Sequence, residues 1–416
     1  MTQKITQREF ACEVVQNLRA AGYESLWAGG CVRDQLLGRE PKDYDVATSA
    51  EPDQVRAVFG KRRTIPVGAS FGVITLLGPH HCDPIEIATF RTDGAYRDGR
   101  HPESVAFSDA QHDAQRRDFT VNGLFYDPLA DRVIDYVGGQ EDLGHQVLRA
   151  IGDPRRRFDE DKLRMLRAVR FAANLGFDVE SRTMAAVQEM ASQIDVVSPE
   201  RIGAELRRIL THASRKTGLE LLAATALLPL VLPEVAERYG AKLERGAAVI
   251  EAAHRLDQTS LPAGLACLLA EFGPTCAIET AKRLRYTNKE GERAAWIVEQ
   301  LPRVGEAHSL AWPQRQRLAT HQGIDELLAV ASAWLGSEHL GVQRLQADLL
   351  LPPESLNPPL LATGDDLIRA GLKPGKRFGK LLERLRDLQL EGRLTTSEQA
   401  IAEALRIVES GEADLS

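Results

Sequence analysis

The hydrophobic repeat of this chain changes period once, near Gly152, and that change decides the fold class before any residue is given a role. Up to that point apolar residues come in short runs: ESLWA before Gly29-Gly30, DYDVAT at 43–48, FGVITLLG at 71–78, IEIATFR at 85–91 and RVIDYV at 132–137. Most are rich in β-branched residues and bounded by Gly, Pro or Asp, which is the pattern of strands. Thr48 and Glu51 have capping-box spacing, which predicts a helix through PDQVRAVF. From Arg155 to about 345, apolar positions recur at three- and four-residue steps, as in Leu163, Leu166, Val169, Ala173 and again in Ile202, Leu206, Ile209. Such spacing lines one face of a helix, and no convincing strand interrupts it. The chain therefore reads as α+β, a small mixed sheet followed by an all-α remainder. The Pro-rich stretch NPPLLATGDD at 357–366 separates a last, compact helical unit.

At 416 residues the chain is long enough for two to four domains, at roughly 100–200 residues each. With 43% hydrophobic and 27% charged residues, a disordered or fibrous chain is excluded. A net charge of −7 excludes a uniformly basic coat but allows a local basic surface. The longest apolar stretches, about ten residues, fall short of the ~18 that span a bilayer. The N-terminal MTQKITQREF lacks the apolar core of a secretory leader. Cys12, Cys31, Cys82, Cys267 and Cys276 are scattered without CxxC spacing. The expectation is a reducing cytoplasm, with neither a zinc site nor a disulfide framework.

The chemistry concentrates first in Gly29-Gly30-Cys31-Val32-Arg33 and Asp43-Tyr44-Asp45. A glycine pair opening a helix lets backbone N–H groups approach an anion, and Arg33 in the first turn adds a guanidinium. Asp43 and Asp45, two apart on a strand, face the same side and repel unless a cation sits between them. Mg²⁺, hard and oxygen-loving, suits that place when phosphate oxygens complete its shell. Phosphate cradle and carboxylate pair together describe phosphoryl transfer. Singly, each also reads as a turn or a solvated strand edge, and it is their conjunction that carries the reading.

The second concentration is FDEDKLRMLRAVRF at 158–171. On a helix Asp161 and Arg164 share a face, and Arg167 and Arg170 continue down it. Cytosine and adenine both offer an exocyclic amine beside a ring-nitrogen acceptor. Asp161 accepts from the amine while Arg164 donates to the nitrogen. Guanine and uracil present the reverse pattern, leaving polar groups unpaired at roughly 1–3 kcal/mol each. A solvated face with ion pairs is the other reading of the same charges.

GGCVRDQLLGREPKDYDVAT closely resembles the first signature of class II tRNA nucleotidyltransferases, the CCA-adding enzymes and their bacterial poly(A) polymerase relatives in the DNA polymerase beta superfamily. RRDFTVN at 116–122 resembles the family's second motif, EDKLR its base-reading motif, DLGHQVLRAIGDP its hinge, and SPERIGAELRRIL the last segment of its neck. The segment 90–107 resembles its flexible loop, with Tyr96, Arg100 and Pro102 at the landmarks and His101 where a second arginine is common. The loop has full length, which argues against a CC-only enzyme. The close likeness covers about residues 24–215.

The resemblance implies a polymerase-beta-like nucleotidyltransferase head at 1–152, a neck at 153–215, a helical body at 216–356 and a tail at 357–416. It implies catalytic, Mg²⁺-binding Asp43 and Asp45. Nucleotide binding would fall to Gly29, Gly30, Arg33, Arg117, Asp118, Asn122, Asp161, Arg164, Arg167 and Arg170. Asp118 and Asn122 would hold the ribose side or orient Arg117. Substrates would be tRNA, CTP and ATP, with no membrane or protein partner. The activity is template-independent CCA addition with pyrophosphate release, ahead of A-only addition, polyadenylation and non-catalytic tRNA binding. Glu86 remains open as a third carboxylate. His112-Asp113 reads as a loop pair and not a hydrolase dyad. Between Arg369 and Arg386 seven Lys/Arg face one acid, Glu383, so Lys373, Lys376, Arg377 and Lys380 are expected to track RNA phosphates.

Overall fold

The computed structural model describes residues 5–68, 71–94, 105–243, 247–375 and 378–410. The chain divides into two compact units, 1–245 and 246–416. The first contains helices α1 (Gln7–Ala20), α2 (Gly30–Leu36), α3 (Pro52–Phe59), α4 (Ala110–Gln115), α5 (Gly139–Gly144), α6 (Pro154–Glu160), α7 (Leu163–Leu175), α8 (Ser181–Met190) and α9 (Pro199–Leu210). Its sheet comprises β1 (Ser25–Ala28), β2 (Asp45–Thr48), β3 (Thr64–Gly68), β4 (Val73–Leu76), β5 (Ile85–Thr89), β8 (Phe125–Asp127) and β9 (Arg132–Ile134); β6 (Arg91–Asp93) and β7 (Val105–Phe107) form a separate hairpin.

The seven strands run in the order β3-β4-β5-β2-β1-β8-β9, antiparallel except for the β2–β5 pair. Central β1 is buried at all four positions because both faces are covered. Trp27 packs on Tyr126 and Tyr44 and donates its indole N–H to Ala11 O of α1 at 3.2 Å. Leu26 and Ala28 join Ala47, Phe90, Ala110, Ala114 and Phe125 in the opposite layer.

Several expectations need correction. The helix after β2 is capped by Glu51, whose N–H bonds to Gln54 Oε1, because the Thr48 hydroxyl is already spent on Ser25, Glu24 and Ala50. β3 was hidden by Pro66, tolerated on an edge strand. A two-residue strand, Asp178–Val179, pairs with Val147–Leu148 inside the region read as wholly helical. His112 and Asp113 lie on α4, not in a loop. Asp161 is not helical: with φ −149° and ψ 105° it separates α6 from α7.

The second unit is helical. Its last three helices, Gly364–Arg369, Phe378–Leu390 and Ser397–Glu409, close a small core of Leu367, Leu381, Leu385, Leu388, Ala400, Ala404 and Ile407. No helix among the described residues is long and apolar enough to cross a membrane.

Candidate active site

β1 ends at Ala28, and the chain turns at Gly29 (φ 72°, ψ −123°) into α2. A side chain at 29 is excluded twice. The φ is one that L-residues rarely adopt, and a Cβ there would stand 2.9 Å from Arg117 Nη1. The antiparallel register sets Asp45 opposite Ala28, so the first carboxylate of β2 lies beside the glycine turn. Asp43 precedes the strand, and Tyr44 between them is buried against Trp27. A concavity of about 570 Å³ is lined by both aspartates together with Gly29, Gly30, Arg33, Arg116, Arg117, Asp118, Asn122, Asp161, Leu163, Arg164, Arg167, Phe171 and Arg201.

Asp45 is exposed and lines this concavity. Burial on its other sides pushes its carboxyl up to about 6, and the Asp43 and Glu86 carboxylates add to the rise. Glu86 is its partner across the parallel β2–β5 register. Such crowding of acids fits a cation. Among the described residues no three His, Cys, Asp or Glu could by themselves hold a metal. The pair Asp43–Asp45 therefore suits an ion that takes the rest of its shell from phosphate oxygens and water.

The basic wall is held by a chain of side-chain bonds. Arg33 pairs with Asp34 at 2.8 Å and donates from Nη1 to Asn122 Oδ1 at 2.7 Å. Asn122 Nδ2 donates to Asp118 Oδ1, and Arg167 donates to Asp118 Oδ2 at 2.6 Å. Burial raises the Asp118 carboxyl, but the Arg167 guanidinium and its hydrogen bonds outweigh this and bring it down to about 2. Asp118 thus orients Arg167, not Arg117. Arg117 is instead fixed by Asp113 Oδ2 and the Asn122 carbonyl. Asp113, 2% exposed, also takes Arg116 on its other oxygen. Sequence reading dismissed this residue; its position four residues before the RRD arginine was the available signal.

Asp161 and Arg164 share the concavity through different partners. Asp161 Oδ1 accepts from Leu163 N at 3.1 Å, and Arg201 of α9 reaches Oδ2 at 2.7 Å. Arg164 Nη1 donates to Glu160 Oε2 at 2.5 Å. Arg170 is not part of the lining. It is 8% exposed, its Nε donates to buried Glu205, and it stacks 3.8 Å over the Phe171 ring. Leu163, Leu166 and Val169 of the apolar face are buried, with Leu163 also bordering the concavity. Phe171, Arg201 and Glu205 were not singled out from sequence. Tyr96, Arg100, His101, Pro102, Lys376 and Arg377 lie outside the described residues. Lys373 and Lys380 are exposed, while Arg369 pairs with Asp366 and Arg386 bonds to Asn357 and Pro358 O.

A family model described as the poly A polymerase head domain matches residues 26–149, and one described as a probable RNA and SrmB-binding site of polymerase A matches 176–238. A CCA-adding enzyme of Lacticaseibacillus paracasei is 32% identical over 410 residues, covering 95% of each chain. The chain belongs to the CCA-adding enzymes. It is a nucleotidyltransferase of that family, and its head is the family's polymerase head. The CCA-adding enzyme of Geobacillus thermodenitrificans is 42% identical over 239 residues, 57% of each chain. The crystal structure of the Bacillus stearothermophilus CCA-adding enzyme in complex with CTP matches at a TM-score of 0.79 and 27% identity, covering 98% of this chain and 99% of that one. The Thermotoga maritima CCA-adding enzyme complexed with tRNA shares the fold at a TM-score of 0.67 and 19% identity.

Proposed function

We propose that this chain rebuilds the 3′ end of tRNA, adding C, C and A from CTP and ATP without a nucleic-acid template and releasing pyrophosphate. The observation that carries the reading is the meeting, in one concavity, of Asp43 and Asp45, three guanidinium groups, and the Asp161–Arg164 pair. Arg33, Arg117 and Arg167 offer fixed donors to a triphosphate, held in place by Asp34, Asp113 and Asp118. Gly29-Gly30 leave backbone room beside it. Asp43 and Asp45 would hold Mg²⁺, which when bound neutralises phosphate charge and activates the tRNA 3′-hydroxyl. Asp161 accepts from the exocyclic amine of cytosine or adenine while Arg164 donates to the ring nitrogen. Asp161 stands in the break before α7 and Arg164 in the first turn of α7, so base and triphosphate are held by neighbouring segments. The site suits a cytoplasmic enzyme that meets tRNA and nucleotides together.

The test uses tRNA ending at the discriminator base and tRNA ending in CC, each incubated with Mg²⁺ and single nucleotides, with the products sequenced. The reading requires CTP incorporation on the first substrate and ATP on the second. Addition of A alone, only to the CC-ended substrate, would make it an A-adding enzyme. Long A tracts would make it a polyadenylating one.

A further inference from the structure

The base-reading carboxylate lies outside any helix, so something other than helical geometry must aim it. Asp161 adopts an extended backbone between α6 and α7. Its side chain has two anchors. Oδ1 takes the N–H of Leu163, which starts α7. Oδ2 takes Arg201 Nη2 at 2.7 Å, from forty residues further on, in the first turn of α9. Both side chains are largely enclosed, 20% exposed for Arg201 and 16% for Asp161, and both line the concavity.

Arg201 is poorly placed for the stability of its own helix. A helix N-terminus carries partial positive charge, so a cation in the first turn is unfavourable there. The compensation is Asp161. A guanidinium has donors and no acceptor, so it fixes one carboxylate oxygen without competing for the substrate's amine. With Leu163 N on Oδ1 and Arg201 Nη2 on Oδ2, both oxygens of the carboxylate are held.

Resting on the base-reading role given to Asp161, the geometry points to Arg201 as a positioning residue for base choice. It sets the direction of the Asp161 lone pair that meets an exocyclic amine, and so the preference for C and A over U. The neck's helix α9 thereby takes part in specificity as well as packing.

The experiment is single-turnover incorporation of CTP and UTP onto tRNA lacking CCA. It compares the full-length chain with Arg201→Met, Arg201→Lys, Asp161→Ala and the Asp161→Ala/Arg201→Met double variant. The CTP-to-UTP ratio is independent of the fraction of folded enzyme, so partial misfolding does not blur it. Arg201→Met should lower that ratio by about tenfold, the size of one lost charge-assisted hydrogen bond. Arg201→Lys should recover part of it. The double variant should be no less selective than Asp161→Ala alone. If Asp161→Ala lowers the ratio and Arg201→Met leaves it unchanged, Arg201 is structural only. Additive losses in the double variant would also overturn the proposal. An unchanged ratio in Asp161→Ala would remove the base-reading role itself, and this inference with it.

Discussion

Asp118 and Asp113 hold arginines of the pocket in place, Asp118 through Arg167 and Asp113 through Arg116 and Arg117. Asp118 is 9% exposed at its side chain, and its carboxyl lies at about 2 against an ordinary 3.8. A depressed carboxylate stabilises the fold above its unfolded pKa and loses that contribution as pH falls through the folded one. Asp118→Asn should therefore cost roughly 2 kcal/mol near neutrality, with the gap from wild type closing between about pH 4 and pH 2. Urea unfolding across that range measures it; a gap constant down to pH 2 would show that the Arg167 pair contributes little. At Gly29, alanine meets both the positive φ and the Arg117 guanidinium at 2.9 Å. Gly29→Ala should reduce kcat/KM for CTP by at least about tenfold and also lower the melting temperature, since the flexible end of Arg117 can give way but the positive φ stays strained. Residue types and their spacing made Gly29, Arg33 and the pair Asp43 and Asp45 legible in the sequence, although Asp43 stands just before the strand, while Arg117 was legible through the family resemblance. Arg201 and Glu205 were not legible, because Asp161 and Arg170 come to them from other elements, whereas Asp113 was missed although its spacing to Arg116 and Arg117 stood in the sequence.

At the scale of elements, α7, which begins just after the break at Asp161, carries two kinds of arginine. Arg167 faces the concavity, and Arg170 turns to Glu205 on α9. A continuous helical period through 158–171 concealed this, since a single extended residue barely disturbs a count of apolar positions. Arg170→Met should remove the 2.5 Å partner of Glu205, 3% exposed at its side chain, and leave it the half-exposed Arg208 and the more distant Arg167. The expected cost is about 3 kcal/mol of stability with KM for CTP nearly unchanged. Arg167→Met should do the opposite in kinetics, raising KM for CTP severalfold. Denaturant unfolding and steady-state kinetics on the pair of variants check both. Equal effects on KM would return Arg170 to the nucleotide site. The strands were legible wherever alternation was clean; β3, with its proline, and the two-residue strand Asp178–Val179 were too short or too interrupted to register.

At the scale of the whole molecule, the concavity lies within the first compact unit, and the last helices of the other carry the cationic stretch. Arg369 pairs with Asp366 and Arg386 bonds to Asn357. Lys373 and Lys380 are exposed. Lys373→Gln/Lys380→Gln should weaken tRNA binding and lower the slope of log affinity against log salt by about 0.7–0.9 per lost contact, without altering CTP affinity. An unchanged slope would make the stretch a solvated surface. The central claim is that nucleotide transfer happens at Asp43 and Asp45 while RNA is held elsewhere. The most direct measurement is single-turnover CMP addition to tRNA lacking CCA, at saturating Mg²⁺, by Asp43→Asn/Asp45→Asn, alongside its tRNA dissociation constant. Losing several kcal/mol of barrier lowering predicts a rate at least about a thousandfold down, with the dissociation constant within about threefold of wild type. A double variant that adds CMP at the wild-type rate would contradict the account.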